Sequence, residues 1–230
     1  MSDLQKRGLT PLDGVSILTT AGIAGAALAV WRLGPTGPMP MHFNFAGEVD
    51  RWGDRTEMSL AIGVIAMVAG AVAVVCWAME RQVKDRRGDR FTYRLGRMVG
   101  LAAPAFAAAM LTATAFDLLP RQGGQEAFLS LMMGGMALLF LGMGAFLGRV
   151  KPNPVIGVRT YWALRSRLAW DKSNRLAGRL MTLVGLLGLV AAPVAPQPVG
   201  FHVLMGALIA SGLAAGFESW RVWRTDPDRT

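Results

Sequence analysis

Cysteine occurs once in the 230 residues, histidine twice and tyrosine twice. The lone cysteine, Cys76, excludes a disulfide within the chain, and with His42 and His202 so far apart a Cys/His zinc cluster is excluded as well. Charge is also scarce. Asp, Glu, Lys and Arg make up 17% of the residues, against about 25% in ordinary soluble domains, too few to cover a core of this size. No P-loop, Gly-x-Ser-x-Gly elbow, His-Glu-x-x-His helix or kinase signature occurs, so neither a catalytic residue nor a cofactor is expected. The centres of the apolar stretches carry no ionisable residue, which argues against an ion-coupled transporter.

What the chain has is apolar length. Hydrophobic residues make up 53% of it, and they gather into six runs: Val15 to Trp31, Met58 to Met79, Met98 to Phe116, Ala127 to Gly148, Leu176 to Val194, and Val199 to Phe217. Each approaches the roughly 20 residues that cross a hydrocarbon core. All are rich in Gly and Ala, which let helix backbones approach closely in lipid. The expected fold is all-α, a polytopic transmembrane bundle of about six spans in a bacterial inner membrane. Pro104 is expected to kink the third span, with Thr112 and Thr114 capping freed carbonyls or bonding across helices. Arg179 opens the fifth run, where it can snorkel to the interface, and Pro193 to Pro198 form a tight turn into the sixth. The first run also has a signal-peptide look, with Lys6, Arg7 and Ala27-Leu28-Ala29. Pro11 and Asp13 interrupt that pattern, so it is read as a retained span.

The net charge of +9 comes from 24 basic and 15 acidic residues. Twenty of those 24 fall in the N-terminus, in 81–97, in 149–179 and in the C-terminus; only Arg32, Arg51, Arg55 and Arg121 lie elsewhere. The clusters alternate perfectly with the runs. The positive-inside rule then puts both termini and the second and fourth connections in the cytoplasm. Basic residues beside apolar runs point to anionic lipid, and no direct nucleic-acid partner is expected. The chain is divided into 1–97, a first helical hairpin with an extracytoplasmic loop (34–57) and a basic cytoplasmic loop, and 98–230, a four-helix region with a long cytoplasmic loop (149–175).

Two connections are longer than a hairpin needs. In the first, Pro35, Pro38 and Pro40 forbid a regular helix, and His42, Asn44, Asp50 and Trp52 follow. It reads either as an ordered interfacial loop with Gly47 and Gly53 as turns or as a recognition surface; a weaker reading makes His42, Glu48, Asp50 and Asp54 a metal site. In the fourth connection, Pro152 and Pro154 break the helix. From Thr160 an amphipathic in-plane helix is expected, with Trp162, Leu164 and Leu168 on one side. It would fix the ends of spans four and five, dock a cytoplasmic partner or lid a cavity.

Both connections resemble signatures of the SdpI family. Pro40-Met-His42-Phe-Asn44-Phe-Ala-Gly47-Glu-Val-Asp50 is similar to its Pro-x-His-Phe-Asn-x-x-Gly-x-x-Asp element. Val150-Lys151-Pro152-Asn153, Ile156-Gly157-Val158-Arg159-Thr160-Tyr161-Trp162-Ala163-Leu164, Trp170 and Ser173-Asn174-Arg175 resemble its Lys-Pro-Asn element. Departures from the pattern stand at Ala145, Gly148, Tyr161, Ala163 and Asn174. The resemblance implies an immunity or resistance protein against a secreted membrane-active peptide toxin, and possible sequestration of a small DNA-binding repressor at the membrane. His42, Asn44, Gly47 and Asp50 would face the toxin. Lys151, Pro152, Asn153, Gly157, Arg159, Thr160, Trp162, Trp170 and Arg175 would face the cytoplasmic partner or stabilise the fold. The alternative is a membrane enzyme or lipid-handling protein acting on phosphate-bearing headgroups.

Overall fold

A computed structural model describes residues 8–83, 87–118, 124–153 and 155–229. Of the residues used above, Lys6, Arg7, Lys84, Arg86, Arg121 and Pro154 lie outside the described residues. The helices are α1 (Pro11–Leu33), α2 (Arg55–Gln82), α3 (Arg87–Ala115), α4 (Gly124–Leu147), α5 (Tyr161–Leu164), α6 (Arg167–Ala191) and α7 (Val199–Thr225), with strands β1 (Met39–Phe43) and β2 (Val49–Gly53) between α1 and α2. Among the described residues six helices are long and apolar enough to cross a membrane. The chain is an all-α polytopic bundle.

The helices outrun the apolar runs because their ends are set by capping rather than by hydropathy. Thr10 and Asp13 form a capping box with Pro11 in the first turn of α1. Asp54 caps α2 through Glu57 N, four residues before Met58, where the apolar run begins. Ser166 caps α6 through Ala169 N. That cap corrects the expectation for the fourth connection. The segment after Thr160 is one turn, Tyr161–Leu164, and the chain then enters α6 at Arg167. Leu168, Trp170 and Lys172 therefore ride on the spanning helix itself, not on a separate helix in the membrane plane. No breaker follows Ser166 until Pro193, so nothing stops the helix once the hydroxyl has started it.

Helix α3 continues through Pro104. Thr112 and Thr114 donate to the carbonyls of Ala108 and Met110, each four residues back. They bond within their own helix, and neither reaches the carbonyl of Gly100 that Pro104 deprives of its usual donor.

The chain forms two compact units, one of 1–86 with 93–125 and one of 87–92 with 126–230. In the first, Ile23, Ala27 and Val30 of α1 meet Met58, Ile62, Ala66, Ala69 and Ala73 of α2 and Leu101, Ala108 and Ala115 of α3. The alanine stripe, at spacings of three and four, brings the backbones close. Leu18, Val64 and Met67 point outward and are exposed, as lipid-facing residues are. In the second unit, Met133 and Ala137 of α4 pack with Ala192, Leu204 and Leu208. Close approach is enforced at Gly144, where a Cβ would lie 2.6 Å from Thr182 N and 2.8 Å from Gly178 O.

The first unit also holds a feature that hydropathy conceals. Arg97 of α3 and Asp13 of α1 are buried, and Arg97 Nη1 donates to Asp13 Oδ1 at 2.7 Å. Asp13 further accepts from Thr10 N (2.7 Å) and Thr10 Oγ1 (2.9 Å). Arg97 counts in the sequence as one of a basic cluster, and Asp13 as an interruption before the first run; 84 residues separate them.

Candidate functional site

The first long connection is not a loop but a β-hairpin. Strands β1 and β2 pair antiparallel, Met39 opposite Gly53 and Phe43 opposite Val49, with irregularities around His42. Pro40 is tolerated because a two-stranded ribbon consists only of edge strands. The turn is built by Asn44. Its backbone N–H donates to Glu48 O (2.8 Å), its Oδ1 accepts from Glu48 N (2.9 Å), and its Nδ2 donates to Glu48 Oε2 (3.1 Å). Gly47 takes φ +82°, the left-handed region that glycine enters without steric cost, and donates its N–H to Asn44 O. Thus Asn44 and Gly47 shape the hairpin. His42 and Asp50 lie across it, Nδ1 to Oδ1 at 2.6 Å, with side chains 65% and 42% exposed.

Met39 is buried in the core of its unit, and Met41 packs on that core. The ribbon is tied to α2 by Arg51, which donates from Nη2 to Glu57 Oε1. Phe45 and Trp52 are exposed. The four residues of the metal reading are engaged separately: Asp54 caps α2, Glu48 holds Asn44, and Asp50 holds His42. Among the described residues no three His, Cys, Asp or Glu gather into a metal-binding group.

The fourth connection folds around two side chains of α6. Trp170, fully buried, donates its indole Nε1–H to Val150 O at 2.8 Å. Asn174, equally buried, accepts from Val158 N at Oδ1 (2.9 Å) and donates from Nδ2 to Trp170 O (2.9 Å). Asn153 closes the turn between them. Its Oδ1 accepts from Val155 N and Ile156 N, and its Nδ2 donates to the carbonyls of Lys151 and Ile156. At Gly157, φ is +122°, and a Cβ would fall 2.7 Å from Asn174 Oδ1 and 2.9 Å from the Trp170 ring. Thr160 caps α5 through Ala163 N and shares a 2.6 Å hydrogen bond with Ser219 of α7. Ser166 donates to Asp226 beyond the end of α7.

The residues predicted for this site therefore divide in two. Asn153, Gly157, Thr160 and Trp170 build the loop and anchor it to α6 and α7. Lys151, Pro152, Arg159 and Arg175 are exposed, and Trp162 is half-buried. Arg149, Arg165, Arg167 and Lys172 are exposed too, so the loop and the first turns of α6 present a basic surface.

A family model for the SdpI/YfhL protein family matches residues 149–217, the stretch from this loop through α6 into α7. Over residues 149–217 the chain is similar to the SdpI/YfhL protein family. A model described as a domain of unknown function (DUF1648) matches 18–67, which carries α1, the hairpin and the start of α2. No curated protein and no solved structure matched the chain. The SdpI/YfhL match begins beside Val150, where Trp170 takes hold of the loop, so the matched stretch is one folded piece.

Within it, two departures from the pattern have visible roles. Tyr161 packs edge-on against Trp223 at a centroid distance of 6.4 Å, and Arg165 stacks 4.0 Å over its ring. Asn174 supplies the acceptor that Val158 N requires. Ala163 is buried against its surroundings. Just before the matched stretch, Gly148 runs close to Arg175 of α6, with 3.4 Å from a would-be Cβ to Cα. Sequence reasoning missed Ser166, Ser219 and Asp226, which have no motif; their only signal is that each is a small or acidic polar residue flanking an apolar run.

Proposed function

We propose that this membrane protein confers immunity or resistance to a secreted, membrane-active peptide. The similarity to the SdpI/YfhL family over residues 149–217 carries the reading, and six membrane-crossing helices fit an immunity-type protein. In this reading the termini lie in the cytoplasm and the hairpin faces outward. The toxin then meets the exposed His42–Asp50 pair, with Phe45 and Trp52 beside it, while Asn44 and Gly47 hold the ribbon in shape. An amphipathic peptide suits such a surface, since exposed aromatic groups at membrane level accept apolar side chains and the polar pair fixes orientation. The basic surface of Lys151, Arg159 and Arg175 faces the cytoplasm, where an acidic patch on a repressor would complement it. The reading assigns the chain no catalytic role.

The test is survival. A peptide-sensitive bacterium expressing the full chain is challenged with a panel of purified pore-forming and membrane-permeabilising peptides, beside cells expressing a variant whose residues 36–53 are replaced by a Gly/Ser linker. Protection against at least one peptide by the full chain, lost in the variant while membrane insertion is retained, is the expected result. Unchanged killing by every peptide overturns the reading.

A further inference from the structure

The structure assigns a phospholipid-binding groove to the first unit, with Arg97 at its polar end. A cavity of about 570 Å³ lies along α1 and α2, lined among others by Asp13, Thr20, Ala24, Gly70, Trp77 and Arg97. Its charged residues are at one end. Arg97 is 2% exposed and donates from Nη1 to Asp13; its Nε and Nη2 are buried with no hydrogen-bond partner among the described residues. A guanidinium holds five donors in a rigid fork and accepts nothing, so a buried one with two vacant N–H groups calls for an oxygen-rich ligand. Asp13 reaches only Nη1 of the guanidinium, and it also accepts from Thr10 N and Thr10 Oγ1.

Dimensions select the ligand. From Asp13 to Ala24 is 11 residues of α1, about 16 Å at 1.5 Å per residue, close to half of the roughly 30 Å hydrocarbon core. The groove thus runs one leaflet deep, from the α1 N-terminus to mid-membrane. Trp77 stands at the polar end, at the level where aromatic residues favour the interface, and the Arg81 guanidinium lies 4.4 Å over its ring. The two open N–H groups of Arg97 favour a phosphate at that end. The apolar remainder, walled by Thr20, Ala24 and Gly70, accommodates one acyl chain. Ile17 and Val74 are exposed on the rim, so a lipid enters sideways from the bilayer. The site is separate from the hairpin and the signature loop, and does not depend on the immunity reading.

The full chain, purified in detergent and stripped of lipid, is titrated with dioleoyl phosphatidylglycerol and followed by native mass spectrometry. Parallel titrations use glycerol 3-phosphate, which has the phosphate without the chains, and dioleoylglycerol, which has the chains without the phosphate. One phosphatidylglycerol is expected to bind with clear preference over both. Arg97→Gln and Ala24→Trp are each expected to weaken that binding at least about tenfold, the scale of one or two charge-assisted hydrogen bonds or of a blocked chain. Ala24→Trp leaves the Asp13–Arg97 pair untouched, so it decides the matter if Arg97→Gln does not fold. Equal binding of wild type and Ala24→Trp overturns the proposal. So does glycerol 3-phosphate binding as tightly as the lipid, which marks a free-anion site, or dioleoylglycerol doing so, which marks a merely apolar groove.

Discussion

Gly157→Ala is the sharpest probe of the signature loop, because one methyl group tests both its backbone and its packing. The φ of +122° at this residue is one that L side chains rarely adopt, and forcing alanine into such a region costs about 1–3 kcal/mol. The added Cβ would also sit 2.7 Å from Asn174 Oδ1 and 2.9–3.0 Å from two atoms of the Trp170 ring. Neither neighbour can retreat cheaply, for Trp170 is fully buried and bonded to Val150 O, and Asn174 is bonded to Val158 N. If that contact is relieved by giving up the Asn174 to Val158 bond, a further cost of about 1–3 kcal/mol follows. Taking about 3 kcal/mol as the combined penalty, a protein of this size loses roughly 6–12 °C in Tm. The assay is thermal unfolding in detergent, followed by near-ultraviolet circular dichroism, with Gly142→Ala as the reference. A Cβ at Gly142 meets nothing within 4 Å, and alanine in its helix is neutral or stabilising by up to about 1 kcal/mol. A Gly157→Ala protein melting within 2 °C of wild type, on the roughly 1 kcal/mol scale, refutes the claim that this loop is folded onto Trp170 and Asn174.

Three further outcomes follow from the same geometry. Arg97→Met leaves Asp13 buried without its cation and is expected to cost about 3–5 kcal/mol, while Asp13→Leu combined with Arg97→Met recovers most of that loss; SDS-driven unfolding of both variants measures it, and equal stability of single and double variants would contradict the buried pair. His42→Ala removes an exposed pair, worth at most about 1 kcal/mol, so its Tm should match wild type, and a large drop would show that the pair supports the fold. Gly144→Leu forces a side chain against the Thr182 backbone and is expected to cost at least about 2 kcal/mol through overpacking; retention of wild-type resistance to SDS unfolding would show that α4 and α6 do not cross closely there.

The six spans were legible because burial in lipid demands one thing of a sequence, a long neutral run, and that demand is local. Ends were less legible. Hydropathy stops at Leu176, whereas α6 begins at Arg167 because the Ser166 hydroxyl caps it; a single cap outweighs the polarity of Lys172 and Arg175, which only need to reach water. The hairpin escaped notice because its strands are short and carry Pro40, and because the Asn44 and Gly47 turn spans four residues rather than a two-residue Asn-Gly. The signature residues could be found from the sequence, but not their duties. Asn44, Gly47, Asn153, Gly157 and Trp170 are occupied in shaping backbone, which leaves His42, Lys151, Arg159 and Arg175 as the ones turned outward. The Asp13–Arg97 pair was invisible for a different reason: it is a tertiary contact between two residues that each look at home in a charged flank.

The attachment of the signature loop to α6 has a mechanical consequence. Val150 and Val158 are bonded to Trp170 and Asn174, two residues on successive turns of one helix, and Thr160 is bonded to Ser219 of α7, so the loop is pinned to two shafts at once. A 25-residue helix is about 37 Å long, and sliding it against α7 by a fraction of a turn would strain the stretch from Val158 to Thr160, which holds Arg159 between the two anchors. The double anchor makes the loop a gauge of register: its basic side chains keep their aim only while α6 and α7 hold their present alignment.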